Sequence, residues 1–342
     1  MLYVRKHKPG DEYSYSCEIH SVSEDSSKPI RYTSVRIVAP DASYTNNQIV
    51  VDIPNVKIPI PLFILMRALG VTTDKSIIET CLLDMDLYSD MVDIFTPSIH
   101  DSQTIFTQQT ALSFMSKFTK RQTVTSVQDI LMNYFLPHIG EDNFINKAFY
   151  IGYMVFRLCR VFQGKDEPTN RDNFKFKRIE TSGSLIYDLF REYYLLQLKN
   201  VFLKIDKEYY YHTEKYTTSF VSLIEDNVKE IFKDRLVEDG FKKAFKGNWG
   251  SQSKRVGIIQ DLNRLSWFTF MSHLRKVNLP LDPTAKVVGP HLLHNTQWGL
   301  IDPVDTPDGG NIGLHKHLSI CTAITNASSS FPMITWRSEE HT

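Results

Sequence analysis

Five prolines stand between Pro280 and Pro307, at positions 280, 283, 290, 303 and 307. Proline lacks a backbone N–H and holds φ near one value, so no long helix or central strand runs through such a stretch. The chain there is an extended, turn-rich path, and its side chains are aimed by backbone turns. Elsewhere the pattern is that of ordinary packed elements. Ser34–Ala39 and Gln48–Ile53 are rich in β-branched residues and read as strands. After Pro59 and Pro61, Leu62–Leu69 reads as a short helix closed by Gly70. Ile77, Ile78, Cys81 and Leu82 repeat at helical spacing behind Asp74 and Lys75. Ser126–Phe135 reads as a helix stopped by Pro137, Lys147–Phe162 as another, and Leu185–Ile205 as a longer one. On that last helix Leu185, Leu189, Tyr193, Leu196 and Phe202 lie near one face. Gln163–Arg178 is polar, with Gly and Pro, and reads as a surface loop. The expected class is therefore α+β, and 342 residues suggest about two domains.

Lys plus Arg and Asp plus Glu both total 39, so the formal net charge is zero. The sum hides a strong segregation. Ser76–Ser116 holds no Lys or Arg but carries Glu79, Asp84, Asp86, Asp90, Asp93 and Asp101. Phe241–Pro280 carries Lys242, Lys243, Lys246, Lys254, Arg255, Arg264, Arg275 and Lys276 against Asp261 alone. The acidic run reads as a solvated face. The basic run is interleaved with Trp249, Gln252, Gln260, Asn263, Trp267 and His273. Cations with amides and aromatics suit a phosphate backbone, where neutralisation also releases counterions. The four cysteines lie more than sixty residues apart and form no zinc spacing; distant pairs can form disulfides in an oxidising compartment, but isolated free thiols are expected. The start of the chain lacks a secretory signal, and the most apolar run, Ile58–Met66, is cut short at Arg67. A soluble, intracellular protein is expected.

Five of the eleven histidines fall in the Pro-rich part of the chain and just before it, at His273, His291, His294, His315 and His317, with Asp302, Asp305 and Asp308 among them. A His/Asp hydrolytic metal site is one reading. His291 and His294 do not share a helix face, which argues against it, whereas His315 and His317 can share a strand face. The glycines of Asp308–Gly313 lack the Lys-Ser/Thr step and the strand-to-helix setting of a phosphate-binding loop. No metal site is expected in this chain.

Leu292–Ile320, LLHNTQWGLIDPVDTPDGGNIGLHKHLSI, closely resembles the signature of the second-largest subunit of multisubunit DNA-dependent RNA polymerases. In that family a His-x-x-x-aromatic-Gly turn leads to Cys-Pro-x-Glu-Thr-Pro-Glu-Gly and a Gly-Leu step. His294–Gly299, Asp302–Gly309 and Gly313-Leu314 stand at those places, with Asp302 in place of the family's Cys and Asp305 and Asp308 in place of its two Glu. GNWG at Gly247–Gly250 and QDLNRLSWFTFMSHLRKVNLP at Gln260–Pro280 are similar to the eukaryotic and archaeal form. So are DNFKFKRIETSGSLIYDLF, KAFYIGYMVFRLCR, DILMNYFLPHIG and DIPNVKIPIPLFILMRALGV, in the family's order. The degree of divergence, including the two Glu-to-Asp changes, is in keeping with a large DNA virus as the source.

The resemblance implies three pieces: an α+β lobe over 1–190, the C-terminal helices of the protrusion over 191–245, and a turn-rich, truncated fork over 246–342. It implies a fragment or split subunit, inactive alone, within a DNA-directed RNA polymerase. Lys254 and Arg255 match the first fork loop, which approaches the RNA–DNA hybrid. Gln260, Asn263 and Arg264 match the stretch lining the hybrid path. His273, Arg275 and Lys276 lead into the second fork loop, Val277–Val287, near the downstream DNA. Asp305 and Asp308 would stand near the active centre, each about 1.5 Å shorter in reach than Glu. A second reading makes Asp305 a turn carboxylate bonding its own backbone before Pro307. Mg²⁺ would be held mainly by the largest subunit. Expected partners are that subunit, the remaining regions of the second-largest one, template DNA, the hybrid and nucleoside triphosphates, with no membrane. Two other readings are a standalone nucleic-acid-binding module and an assembly piece without activity of its own.

Overall fold

A computed structural model describes residues 1–23, 30–40, 47–212, 220–251, 255, 257–282, 284, 287–325, 332 and 335. The chain divides into two compact units, Met1–Arg171 and Asp172–Thr342.

The first unit is built on an antiparallel sheet of β1 (Leu2–Lys6), β2 (Tyr13–Ser21), β3 (Arg31–Val38), β4 (Ile49–Asp52) and β5 (Ile60–Pro61), in that spatial order. The register places Val4 opposite Cys17, Cys17 opposite Val35, Val35 opposite Val51 and Val51 opposite Ile60. These five are buried and form one apolar row across the sheet. Alternation sends their neighbours Glu18, Arg36 and Asp52 to the other face, where Arg36 donates to Asp52 at 2.8 Å.

Helices cover the apolar face. They are α1 (Leu62–Ala68), α2 (Asp74–Leu82), α3 (Thr96–His100), α4 (Gln108–Ser116), α5 (Val124–Asp129) and α6 (Phe144–Phe162). Helix α6 packs on β1, β2, β3 and α2 through Ala148, Ile151, Val155, Leu158 and Cys159. Gly152 permits the approach to α2, since a Cβ there would meet the Thr80 carbonyl oxygen at 2.4 Å. Helix α2 begins at Asp74, three residues before the apolar repeat, because the Thr73 hydroxyl caps the Ser76 N–H at 3.2 Å. The helix read over 126–135 divides instead. Helix α5 passes at Ile130 into a π-helical turn, Ile130–Tyr134, and Lys147 donates to the carbonyls of Leu131 at 2.7 Å and Met132 at 3.0 Å. Cys17, Cys81 and Cys159 are buried free thiols, and burial pushes Cys159 up to about 12. Cys321 is free and exposed.

In the second unit α7 (Ser182–Tyr211) is followed by α8 (Phe220–Ile231) and α9 (Leu236–Phe245), both packed on α7. Helix α7 runs unbroken through the expected boundary at 190/191. Among the described residues its main buried cluster is small, Leu189, Tyr193, Ala244 and Trp249, with Leu223, Ile231, Ile301 and Leu314 buried elsewhere in the unit. The Asp234 carboxylate fixes the α8–α9 corner to α7 by accepting from Asn200 at 2.8 Å and pairing with Lys204 at 3.0 Å. Those partners hold Asp234 below the usual carboxylate value. Beyond them come α10 (Trp267–Leu274), β6 (Lys276–Asn278) and β7 (His315–His317). Among the described residues, the Pro-rich stretch between the last two forms only short 3₁₀ turns, at Gly289–His291, Asn295–Gln297 and Gly309–Asn311.

Candidate nucleic-acid interface

Strands β6 and β7 form an antiparallel ladder pairing Lys276 with His317, Val277 with Lys316 and Asn278 with His315. The Asp302 N–H donates to the His317 carbonyl at 2.8 Å, which brings the Asp-rich turn beside the ladder. Gly313 lets the turn close, with φ +72° and a Cβ position only 2.6 Å from the His291 carbonyl oxygen.

Helix α10 starts on a capping box, in which the Ser266 hydroxyl accepts the Thr269 N–H at 3.2 Å and the Thr269 hydroxyl accepts the Ser266 N–H at 2.9 Å. Just before and within it, three of the expected residues come together. The Asn263 N–H donates to His273 Nδ1 at 3.0 Å. A backbone N–H only donates, so Nδ1 accepts and the ring proton sits on Nε2, which donates to Gln260 Oε1 at 3.0 Å. Gln260 Nε2 in turn donates to the Gly257 carbonyl at 2.8 Å. Gln260 and His273 are thus bound to one another, and Asn263 Oδ1 caps the Leu265 N–H at 3.1 Å.

The arginines differ in what they have left to offer. Arg275 Nη2 donates to the Ser319 carbonyl and, at 3.4 Å, to those of Ile320 and Thr322, which ties this side chain to that turn. Arg255 pairs with Glu180 at 3.1 Å, with both side chains largely exposed. Arg264 is exposed and makes no ion pair among the described residues. Lys276 is half-buried and has no ion pair there either. Lys254 and Gln252 lie outside the described residues, as do positions 283, 285 and 286 of the second fork loop.

The acids take separate roles. Asp302 Oδ1 accepts the N–H groups of Val304 at 3.0 Å and Asp305 at 3.4 Å, so it is the turn carboxylate. Asp305 instead accepts from the Ser272 hydroxyl at 3.1 Å and lies 3.1 Å from His317 Nδ1. The alternative reading of Asp305 as the turn's own cap is corrected accordingly: Asp302 holds that place. Asp308 is exposed beside the Gly309–Asn311 turn and makes no side-chain cap there. Burial, Lys276 and His317 together push His315 below the usual imidazole value. Burial and Lys177 lower Lys316, against the opposing pull of Asp172. Among the described residues no three His, Cys, Asp or Glu side chains converge on a point that would hold a metal ion.

Asn263, Phe268, Thr269, Ser272, His273, Lys276, Asp305 and His317 line one open cleft of about 380 Å³. Sequence reasoning missed Ser272 and His317 as the partners of Asp305, and Phe268 as a wall of this cleft. It also grouped Trp249 with Trp267, yet Trp249 is 6% exposed in the core and Trp267 is 71% exposed. The run of charges gave no means of separating them.

Comparison with known proteins matches residues 24–180 to RNA polymerase Rpb2, domain 2, and residues 260–324 to RNA polymerase Rpb2, domain 3. The chain is 34% identical, over 99% of its length, to the DNA-directed RNA polymerase II subunit RPB2 of Encephalitozoon cuniculi, of which it covers 29%. It is 31% identical, over 99% of its length, to DNA-directed RNA polymerase II subunit 2 of Arabidopsis thaliana, again covering 29%. With the DNA-directed RNA polymerase subunit Rpo2 of Saccharolobus shibatae it shares 32% identity over 80% of the chain and 24% of the relative. The chain therefore spans under a third of the length of these relatives.

Proposed function

The chain belongs to the family of second-largest subunits of DNA-directed RNA polymerases, and from that premise we propose that it serves template-directed RNA synthesis by holding nucleic acid beside the polymerase centre. Its first unit is the lobe-like part. The segment from residue 246 onward is the fork-like part, which meets the RNA–DNA hybrid and the downstream DNA. One observation carries the reading: the Rpb2 domain 3 match, 260–324, falls on the segment that joins Arg264 and Lys276 to the bound Gln260–His273–Asn263 set.

A polymerase moves along any template, so its contacts go to phosphate and sugar rather than to base edges. Arg264 and Lys276 are the cations placed to do this. Gln260 and His273 act through one another, stiffening the approach to α10, and Arg275 holds the Ser319–Thr322 turn. Asp305, tied to Ser272 and His317, fixes the Asp-rich turn against α10 and β7. Nucleotidyl transfer would take place only in the assembled enzyme, with the largest subunit, the other regions of the second-largest subunit and nucleoside triphosphates. Mg²⁺ supplies charge neutralisation for that chemistry. The donor set of the described residues does not fit it, and no residue here is assigned to it.

The test is elongation-complex lifetime across a salt series, in a polymerase carrying this chain. Arg264→Ala and Lys276→Ala should each shorten it and lower the salt slope by about one. Lifetimes and slopes equal to wild type in both variants would overturn the proposal. An assembly role is a second reading, supported by α7. That helix buries only Leu189 and Tyr193, while Phe190, Tyr194, Leu198 and Phe202 face outward. Loss of co-purifying largest subunit on Phe202→Glu, with nucleic-acid contacts intact, would favour it.

A further inference from the structure

Helix α10 has the sequence WFTFMSHL, yet none of its residues is buried. Phe268 is 83% exposed and Trp267 71%. Trp267 already stacks on Phe270, with ring centroids 6.0 Å apart and planes 5° from parallel. Phe268 makes no ring contact among the described residues and stands in the wall of the cleft that Asn263, Thr269, Ser272 and Lys276 also line. Leaving a phenyl ring in water forgoes the gain of burial, so an occupant that covers it is favoured.

The surroundings select the occupant. The cleft combines a flat apolar ring and the Lys276 cation with Asn263, Thr269, His273 and the Asp305 carboxylate, and that carboxylate is already engaged by Ser272 and His317. Arg264 stands in the segment leading into the same helix and makes no ion pair among the described residues. An apolar protein surface would satisfy Phe268 but would strand the Lys276 charge. An unpaired nucleotide satisfies both, with base on ring and phosphate on cation. Duplex nucleic acid does not, because its bases are already stacked.

We propose that Phe268 is a base-stacking platform for single-stranded nucleic acid, with Lys276 taking the phosphate and with no preference among bases. This rests on the nucleic-acid reading of the fork-like segment and gives it a form of strand and a residue. Stacking tolerates any base because every base has a π face, in keeping with an enzyme that acts on any sequence.

The experiment uses the full 342-residue chain and fluorescence anisotropy with two labelled twelve-nucleotide strands, an oligo-uridine and an abasic strand of the same phosphate spacing. Wild type should bind the oligo-uridine about 5- to 100-fold more tightly than the abasic strand. Phe268→Ala should bring the two affinities together without changing the salt slope, and Phe268→Trp should keep them apart. Lys276→Ala should lower the salt slope by about one and leave the ratio in place. Equal affinity of wild type for the two strands overturns the stacking proposal. So does a Phe268→Ala variant that still discriminates between them, or one that loses the largest subunit from the assembled enzyme while binding both strands as wild type does. Absence of salt-dependent binding to either strand would overturn the nucleic-acid reading itself, which separates the two failures. Phe268 is an exposed residue, and an unchanged circular dichroism spectrum verifies that the variant is folded.

Discussion

Two basic side chains show what a single residue hides in a sequence. Arg67 ends the most apolar run of the chain, and as a letter it reads as an exit to solvent. In the fold it is 1% exposed. Its guanidinium donates to the carbonyls of Thr72 at 3.3 Å and Ser102 at 3.0 Å, to that of Ile105, and to the Asp74 carboxylate. Five N–H donors in a rigid fork can meet several carbonyls at once, which no lone Lys could match in this geometry. Those acceptors come from segments up to 38 residues away, so no local pattern announced them. His138 is the second case. Its Nδ1 lies 2.7 Å from the Ser21 hydroxyl, its ring meets Tyr150 edge-on at 4.8 Å, and its buried Nε2 has no partner among the described residues. Burial first, then the chain's amino terminus and Lys147, push the imidazole below 6.5. The unfolded chain therefore binds more protons in the window between the folded value and about 6.5. Stability of the first unit should be fully present above that window and fall as pH drops through it. Urea midpoints measured from pH 5 to 8 should show this loss in wild type and a flatter profile in His138→Asn. Parallel profiles for the two would count against the assignment.

Elements were legible where apolar periodicity was strong. Helices α1, α2 and α6 and strands β3 and β4 lie where the spacing put them, within a few residues. Strands β1 and β2 went unread: β1 is only five residues long, and in β2 the residues alternating with Ser14, Ser16, Glu18 and His20 are chiefly Tyr13, Tyr15 and Cys17, a weaker apolar signal than Val or Ile. Ser16 and Ser21 are buried there, Ser16 against His7 and Glu18 and Ser21 against His138. The π-helical turn was equally silent, since its extra residue is accommodated by Lys147, which lies on α6. Close approach of elements left one kind of trace, glycine inside a helix, which costs about 1 kcal/mol against Ala unless packing needs it. Gly240 on α9 is such a site. A Cβ there would lie 2.5 Å from the Tyr193 ring on α7. Gly240→Ala should then destabilise the second unit by about 1–3 kcal/mol despite the better helix propensity. Tyr193→Leu in the same background should recover part of the loss by making room. A more stable Gly240→Ala protein would show that the two helices separate freely.

At the scale of the whole chain, zero net charge divides into an acidic stretch in the first unit and a basic one in the second. Neutrality thus says nothing about nucleic acid. The division into two units has an energetic counterpart. The core of the first joins five strands and six helices and includes Phe63, Phe95 and Phe135 at full burial. The main cluster of the second has Leu189, Tyr193, Ala244 and Trp249, while Leu265, Trp298, Val304 and Ile320 face solvent. Each fully buried large apolar side chain contributes roughly 1.5–3 kcal/mol, so the first unit holds far more of the total. A unit that buries little also exchanges its amides and meets proteases through frequent local opening. The full chain in urea should therefore unfold in two steps, the second unit first. Brief trypsin treatment should leave a resistant fragment ending near Arg171. Hydrogen exchange should place the slowest amides in β2, β3 and α6 and much faster ones throughout 287–325. A single transition with even protection across both units would mean that the small core of the second is stabilised by the first. That result would contradict the separation drawn from packing.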